Sequence, residues 1–564
     1  MNEKVKQWTQ APFDQETITA VNNLKSTPEA LEDAFYKNLE FGTGGMRGVM
    51  GVGTNRINPY TLGKNTQGLS NYLKKTFDPQ TLRVVIAYDC RKNSQYFAQR
   101  VAEVFSANGI DVYVFPELRP TPALSFAVRH LNAHCGIVLT ASHNPPEYNG
   151  YKVYWKDGGQ IVPPQDKEII EEIEKIDFQD ILFEAQPDKI HRLNASLDQA
   201  FIQQSLDNAV LSQEEKEAYS IVFTSLHGTA VTLLPQTLSA AGFSQVYSVK
   251  AQEKPDGNFP TVSSPNPEEK EALALGLTLA DEKKADLLLG FDPDADRLGI
   301  GVRDTNGEMI LLNGNQTMVA ITRYLLEYKK EKNQLGENAF IGSTVVSTPM
   351  MKKLADHFGI DCKLGLTGFK WIAKMIEDFP DEEFICGGEE SYGFMVGHQV
   401  RDKDAITSAL LVAEIGAQLK KEGKSFYSYL IETYQSIGCY QENLISFTKK
   451  GKSGAEEIQR MMENYRNQMP QEFGGDPVKF KEDYSLGLRT YNDGTTVQLS
   501  FPKADVLVFE TLKGYRVCIR PSGTEPKIKF YLSVNSSLEN TNDFPEVWEA
   551  LKSLSTTISK SLGL

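Results

Sequence analysis

Ala285-Asp286-Leu287-Leu288-Leu289-Gly290-Phe291-Asp292-Pro293-Asp294-Ala295-Asp296-Arg297 is the stretch on which the reading of this 564-residue chain turns. A short apolar run that stops at turn residues has the pattern of a fully buried strand. Directly after it stand three carboxylates spaced two apart. In an extended segment residues i, i+2 and i+4 point to one side, so Asp292, Asp294 and Asp296 are expected to converge. Their mutual repulsion is unfavourable unless a cation joins them, and oxygen-only ligands select a hard ion, Mg2+ or Ca2+. The EF-hand loop is excluded, because Arg297 stands where it needs glycine and Arg303 where it needs glutamate. Three protein carboxylates also leave coordination positions open for a phosphoryl oxygen. The competing reading is a solvated acidic turn.

Other apolar runs lie outward from this one, at 82–88 (LRVVIAY), 111–115, 135–140, 220–223 and 384–386. Amphipathic stretches such as 94–108 and 316–330 separate them. The alternation predicts α/β layers with largely buried strands. The C-terminal segment reads differently: a charged helix at 454–467 precedes strands at 515–520 and 527–534, which flank a six-residue polar loop. That pattern predicts a smaller α+β domain. Breaks at 186–196, at 304–315 and near Gly438 divide the chain into α/β domains 1–205, 206–314 and 315–437 and an α+β domain 438–564. Several domains are required in any case, because single cores stop growing near ~250–300 residues.

Hydrophobic residues make up 40% of the chain and charged residues 24%, with a net charge of -15. A nucleic-acid surface leaves a basic footprint, so this composition argues against one. An acidic protein that binds an anionic substrate must gather its positive charge in one place. Cys90, Cys135, Cys362, Cys386, Cys439 and Cys518 include no CxxC pair and read as reduced thiols rather than a disulfide or metal framework. The N-terminus has no apolar signal region, and no run approaches the ~18 apolar residues of a membrane span. A cytoplasmic protein is expected.

Four further loops carry chemistry. Thr140-Ala141-Ser142-His143-Asn144-Pro145 follows the run at 135–139. A serine there is exposed and rigidly held, as a nucleophile must be, although Ser, Asn and Pro also make ordinary turns. The G-x-S-x-G elbow of serine hydrolases is absent. Arg520-Pro521-Ser522-Gly523-Thr524-Glu525-Pro526-Lys527 offers a guanidinium fork, hydroxyl donors and accessible backbone N–H groups. That is the chemistry of a phosphate cradle, or of a polar hairpin. Gly42-Thr43-Gly44-Gly45-Met46-Arg47-Gly48 is glycine-rich but lacks a Walker-A ending. Gly387-Gly388-Glu389-Glu390-Ser391-Tyr392-Gly393 has groups suited to sugar hydroxyls. Taken singly, these last two fit structural turns.

In combination the loops are far more specific. TASHNP, DPDADR, GEESYG and RPSGTEPK, in that order, resemble the α-D-phosphohexomutases, and the resemblance runs from Gly42 to Lys527. FGTGGMRG, TGFKWIA and GEESYGF are similar to the branch that holds bacterial phosphoglucomutases, phosphopentomutases and glucose-1,6-bisphosphate synthases. One departure is visible: Pro293 and Ala295 replace the glycines of the family's usual D-G-D-G-D-R, which puts loop flexibility rather than ligand identity in question.

The resemblance implies mixed sheets arranged around a central cleft, and a phosphorylated Ser142 as the resting form. It implies Mg2+ bound by Asp292, Asp294, Asp296 and the Ser142 phosphoryl group. It assigns acid/base work to Lys152, charge stabilisation to Arg47 and Arg297, and orientation of the serine loop to His143. Thr367, Gly368, Glu389 and Ser391 would bind the sugar. Lys403 would contact phosphate, and Arg520, Ser522, Gly523 and Thr524 would hold the phosphate that does not move. The implied reaction interconverts a sugar 1-phosphate and 6-phosphate through a 1,6-bisphosphate, with glucose favoured over mannose or a pentose. Glucose 1,6-bisphosphate is then both intermediate and activator. A metal-dependent sugar phosphatase is the distant alternative, and a monomer or weak dimer without nucleic-acid or membrane partners is expected.

Overall fold

A computed structural model describes residues 2–42, 44–209, 216–449, 451–522 and 527–563. Two compact units emerge, one of residues 1–302, 309–311 and 393–421, the other of 303–308, 312–392 and 422–564.

The first unit holds two layered sheets. Strands β1 (Gly45–Val49), β2 (Arg83–Tyr88), β3 (Asp111–Val114), β4 (Cys135–Leu139), β5 (Tyr148–Trp155) and β6 (Ile190–Arg192) form one, in the order β1-β5-β4-β2-β3-β6. Neighbours β4-β2-β3-β6 are parallel, whereas β5 and β1 are antiparallel. The predicted runs at 82–88, 111–115 and 135–140 are therefore strands. Residues of β2 and β4 are almost all buried, as strands covered on both faces must be. Helix Ser94–Ala107 covers the sheet, as its apolar periodicity predicts.

Helix Pro59–Thr76 starts where Asn58 caps it through a capping box with Thr61, and Pro59 is preorganised for the first turn. Against it packs an aromatic cluster in which Trp8 is fully buried with Phe13, Phe35 and Tyr60 around it.

The second sheet contains β7 (Ser220–Thr224), β8 (Gln245–Ser248), β9 (Leu287–Phe291), β10 (Leu298–Arg303) and β11 (Met309–Leu312), in the order β11-β10-β9-β7-β8. The run that opens at Ala285 thus supplies a central strand whose five residues are all buried. β8, β7 and β9 run parallel and β10 antiparallel. Helix Ala405–Lys421 packs beside β9 within this unit.

In the second unit β12 (Ala339–Thr344) is flanked in parallel by β13 (Asp361–Gly365) and β14 (Glu383–Glu389). The predicted helix at 316–330 is Gly314–Glu331, capped by Asn313 in a box with Gln316. The C-terminal part is an antiparallel sheet of strands Cys439–Thr448, Lys527–Ser536, Arg516–Pro521, Leu507–Thr511, Asp476–Asp483, Leu488–Tyr491 and Thr496–Gln498, taken in spatial order. Helices Gly451–Asn467 and Phe544–Ser561 accompany it, which is the α+β composition expected. All six cysteines are free. Among the described residues no helix is long and apolar enough to cross a membrane.

On the C-terminal sheet Glu442 stands opposite Ser533, and its Oε1 is buried without a hydrogen bond. Burial pushes its carboxyl up to about 7, against the help of Thr348 and Ser533. A carboxyl raised in the folded state binds its proton more tightly there than in the unfolded chain. Its contribution is complete below the ordinary value of 4.5 and is lost as pH rises toward 7. Glu442→Gln is therefore expected to flatten the fall in stability between those limits. Urea unfolding at pH 5 and pH 8 reads this directly: the variant should gain on the parent only at the higher pH.

Candidate active site

Ser142 lies in the loop that follows β4. It is buried there and not exposed as expected, because the Asp triad and the Arg91 side chain close around it. Its φ of +51° lies in the left-handed region. For a residue with a Cβ this conformation costs roughly 1–2 kcal/mol, so surrounding contacts must hold it. The Ser142 N–H donates to Thr140 Oγ1 (2.9 Å), whose hydroxyl donates to Asp89 Oδ2 (2.7 Å). Beneath the loop the Arg91 guanidinium donates to the carbonyls of Ser142 (2.7 Å), Pro145 (2.8 Å), Tyr148 (3.0 Å) and Asn144. Arg91 and Asp89 are both buried, and the Phe259 ring lies 5.1 Å from the guanidinium carbon. Gly257 is required there, since a Cβ would come within 2.5 Å of the Lys92 nitrogen.

Asp292, Asp294 and Asp296 lie at the end of β9 and are all buried. One ligand oxygen from each falls within 4.8 Å of the others. The convergence expected from an extended segment is real, but its cause is different. The segment is a turn: the Ala295 N–H donates to the Asp292 carbonyl (2.9 Å), and Ala295 has a φ of +50°. The N–H groups of Asp296 and Arg297 then donate back to Asp292 Oδ1 at 3.1 and 3.0 Å. Curling around one carboxylate brings the other two beside it. Ala295 accepts the conformation that glycine would adopt freely.

A neighbouring loop backs this turn. The Thr229 N–H donates to the Pro293 carbonyl (2.8 Å), and a Cβ on Gly228 would lie 2.5 Å from the Pro293 Cα.

Ser142 Oγ donates to Asp292 Oδ2 (2.7 Å) and lies 3.1 Å from His143 Nδ1. Lys152 Nζ reaches Asp294 Oδ2 (2.6 Å) and Asp296 Oδ2 (2.9 Å), and Lys403 Nζ lies 3.3 Å from Asp296 Oδ2. Thr121 Oγ1 donates to Asp294 Oδ2 (2.8 Å). Burial and the charges of Asp294 and Asp296 hold the Asp292 carboxyl well above its ordinary range. Burial acts the same way on Asp294, but the Lys152 ammonium together with hydrogen bonds from Asp292, Lys152 and Thr121 outweighs it and holds that carboxyl low.

Lys152 departs from expectation. Acid/base work asks for an amine lowered toward neutrality. Burial does pull it down, yet the Asp294 and Asp296 carboxylates outweigh burial and hold it above its ordinary value. In this arrangement Lys152 is an ammonium.

The donor set fits a hard divalent cation. It is all oxygen, and the Oδ1 atoms of Asp294 and Asp296 are buried without a hydrogen-bond partner. Buried carboxylate oxygens that accept no hydrogen bond are costly unless a cation completes them.

On the first sheet Arg47 stands opposite Gly150 and Lys152 opposite Gly45, which puts both cations on one face. Gly45, at φ +132°, could hold no side chain, because its Cβ would meet the Tyr151 carbonyl at 1.9 Å. Arg47 donates to Asn144 Oδ1 (2.7 Å), on the serine loop. Arg297 pairs with Glu268. The first unit thus assembles Ser142, His143, Lys152, Arg47, the Asp triad, Arg297 and Lys403.

The remaining predicted residues belong to the second unit. Thr367 and Gly368 follow β13, with Gly368 at φ +116° and Thr367 Oγ1 buried without a partner. Glu389 ends β14 and is buried, and Ser391 follows in the turn. Glu390 accepts from Ser347 Oγ (2.7 Å), and burial together with the Glu389 charge pushes it up to about 7. Arg520 lies near the end of its strand, and the Ser522 N–H donates to the Lys527 carbonyl (2.7 Å). Gly523 and Thr524 lie outside the described residues.

Asp89, Arg91 and Thr121 were not singled out from sequence. Asp89 and Arg91 had a legible signal, as polar residues directly after the apolar run at 82–88. Thr121 had none.

Three family models match in order: "Phosphoglucomutase/phosphomannomutase, alpha/beta/alpha" domain I over residues 38–180, domain II over 199–307 and domain III over 313–435. The phosphoglucomutase of Staphylococcus aureus (strain MRSA252) is 38% identical over 531 residues, covering 93% of this chain and 93% of the relative. The chain belongs to the phosphoglucomutase/phosphomannomutase family. The phosphoglucomutase of Staphylococcus epidermidis (strain RP62A), another relative within the family, is 37% identical over 517 residues, covering 90% and 93% of the two chains. The fold is shared with the Paramecium phosphoprotein pp63/parafusin, described as a phosphoglucomutase, with a TM-score of 0.67, 19% identity and coverage of 93% and 95%. Membership in this family makes the chain an enzyme of the phosphohexomutase type.

Proposed function

We propose that the chain interconverts α-D-glucose 1-phosphate and glucose 6-phosphate through a phosphorylated Ser142, with glucose 1,6-bisphosphate as intermediate and activator. The observation that supports this most directly is Ser142 Oγ bonded to Asp292 Oδ2 (2.7 Å), beside a carboxylate cluster in which two buried oxygens accept no hydrogen bond. Phosphoglucomutase is also the name given to relatives 37% and 38% identical over nearly the whole chain.

In this reading the 6-hydroxyl oxygen of glucose 1-phosphate bonds to the phosphorus on Ser142, and the bond from phosphorus to Ser142 Oγ breaks. The Lys152 ammonium gives a proton to the departing Ser142 Oγ and regains one from the attacking hydroxyl, so its charge is unchanged over the step. The bisphosphate turns end for end, Ser142 Oγ takes the 1-phosphoryl group, and the 6-phosphate leaves. Arg47 and Arg297 balance negative charge on the moving group. His143 sets the orientation of Ser142 Oγ. Asp292, Asp294, Asp296 and the phosphorylated Ser142 would hold Mg2+, which when bound supplies Lewis-acid stabilisation of the phosphoryl oxygens.

Glu389, Ser391, Thr367 and Gly368 bind sugar hydroxyls. Lys403 contacts phosphate, and Arg520, Ser522, Gly523 and Thr524 hold the phosphate that does not move. The division into domains 1–205, 206–314, 315–437 and 438–564 belongs to the same reading. So do a cytoplasmic location, a monomer or weak dimer, and the absence of nucleic-acid and membrane partners.

The test is a coupled assay of glucose 6-phosphate formation run beside phosphate release, primed with glucose 1,6-bisphosphate. Isomerisation with little hydrolysis is expected. Net hydrolysis would make the chain a phosphatase. A panel of mannose, glucosamine, ribose and deoxyribose 1-phosphates should give lower kcat/KM than glucose 1-phosphate, and a higher value for any of them reassigns the sugar.

A further inference from the structure

Asp402 and Lys403 lie just ahead of helix Ala405–Lys421 in the first unit. Lys403 Nζ stands between two carboxylates, 3.3 Å from Asp296 Oδ2 and 3.1 Å from Asp402 Oδ1. Asp402 is 1% exposed, and both its oxygens are engaged. Oδ1 accepts the Lys403 N–H (2.7 Å) as well as its ammonium, and Oδ2 accepts the Tyr154 hydroxyl (2.6 Å). Tyr154 is fully buried on β5, two residues beyond Lys152, so both side chains leave the same face of the sheet. Lys152 in turn holds Asp294 and Asp296. Asp296 Oδ2 is therefore shared by two ammonium groups, and one of these is also held by a carboxylate outside the triad.

We infer that Asp402 is a positioning residue that divides Lys403 between itself and Asp296, and so sets how readily the Asp triad takes a divalent cation. The inference rests on reading the triad as a metal site. Ammonium and divalent cation draw on the charge of the same Asp296 carboxylate, and buried charge-assisted pairs are strong. With Asp402 present, Lys403 keeps a carboxylate partner when Asp296 turns to a cation. Without that carboxylate, Lys403 leans on Asp296 and the cation must overcome the full pair. The Tyr154 hydroxyl fixes Asp402 Oδ2 and leaves Oδ1 facing Lys403.

The test is Mn2+ binding to the purified full-length chain, read by electron paramagnetic resonance of the free ion. The parent should bind Mn2+ and Asp294→Asn should lose it; failure of that pair of results sinks the metal-site reading itself. Given both, Asp402→Asn is expected to weaken Mn2+ binding about fivefold, and Tyr154→Phe to weaken it less. Asp402→Glu should recover part of the loss. The decisive comparison is made in Lys403→Met, where Asp402→Asn should have no further effect.

Parent-like affinity in Asp402→Asn overturns the inference. So does an undiminished loss in the Lys403→Met background, which would mean that Asp402 acts through its own charge at a distance. Thermal unfolding shows whether each variant is folded. Should Asp402→Asn fail that check, Tyr154→Phe takes its place: parent-like affinity in the single variant, or an undiminished loss in the Lys403→Met background, overturns the inference.

Discussion

Ser142→Ala is expected to abolish isomerisation, with turnover falling at least ~10³-fold while sugar-phosphate binding stays measurable. The size of the effect follows from the proposed role. Without Oγ no atom remains to accept the phosphoryl group, so the loss belongs to kcat and not to KM. The change is small in other respects, since the Ser142 N–H bond to Thr140 and the carbonyl bond from Arg91 are backbone contacts that alanine keeps. Intact-mass measurement supplies an independent readout. The parent should take up one phosphoryl group from glucose 1,6-bisphosphate, and the variant none. Unchanged turnover would mean that the nucleophile lies elsewhere.

Arg91→Leu is expected to lower stability by about 3–5 kcal/mol, because breaking a buried ion pair leaves an uncompensated charge. Arg91 and Asp89 have no side-chain exposure, with Arg91 Nε 3.4 Å from Asp89 Oδ2. Leucine would strand the carbonyls of Ser142, Asn144, Pro145 and Tyr148 along with that carboxylate. Burial already holds the Asp89 carboxyl above its ordinary value, and Arg91 is the main force opposing burial. Removing Arg91 raises it further. A raised carboxyl loses its contribution as pH increases, so the deficit should be larger at pH 8 than at pH 5. Urea unfolding at the two values measures both the size and the sign. A deficit under about 1 kcal/mol would show that the serine loop does not depend on this side chain.

Much of the fold is visible in local pattern. The run at 285–291 predicts a buried strand, and β9 occupies Leu287–Phe291. The stretches at 94–108 and 316–330 predict helices that form within two residues of those limits at each end. Such agreement is expected where a whole face or a whole strand is apolar, since burial then leaves one arrangement. The loops are legible for a related reason: polar residues that interrupt apolar runs must sit at strand ends, outside the sheet core.

The Asp triad shows where local reasoning stops. Spacing predicts that its carboxylates converge, but it predicts an extended segment where the structure has a turn. A segment with Pro293 and Ala295 can be written as extended or as a turn, and backbone bonds to Asp292 Oδ1 choose the turn. Lys152 is similar. Its place two residues after Gly150 was readable, but its protonation was not, because the two carboxylates that hold it lie 142 and 144 residues away.

The composition, the alternation of strand and helix, and the identities of Ser142, Asp292, Asp294 and Asp296 are properties of the chain as written, because each depends on neighbours a few residues apart. The Arg91 grip on the serine loop, the charge on Lys152 and the sharing of Lys403 between Asp296 and Asp402 belong to the tertiary structure. Charge and hydrogen bonding act through distances of a few ångströms, and only folding brings residues 91, 142, 152, 294 and 402 within that range.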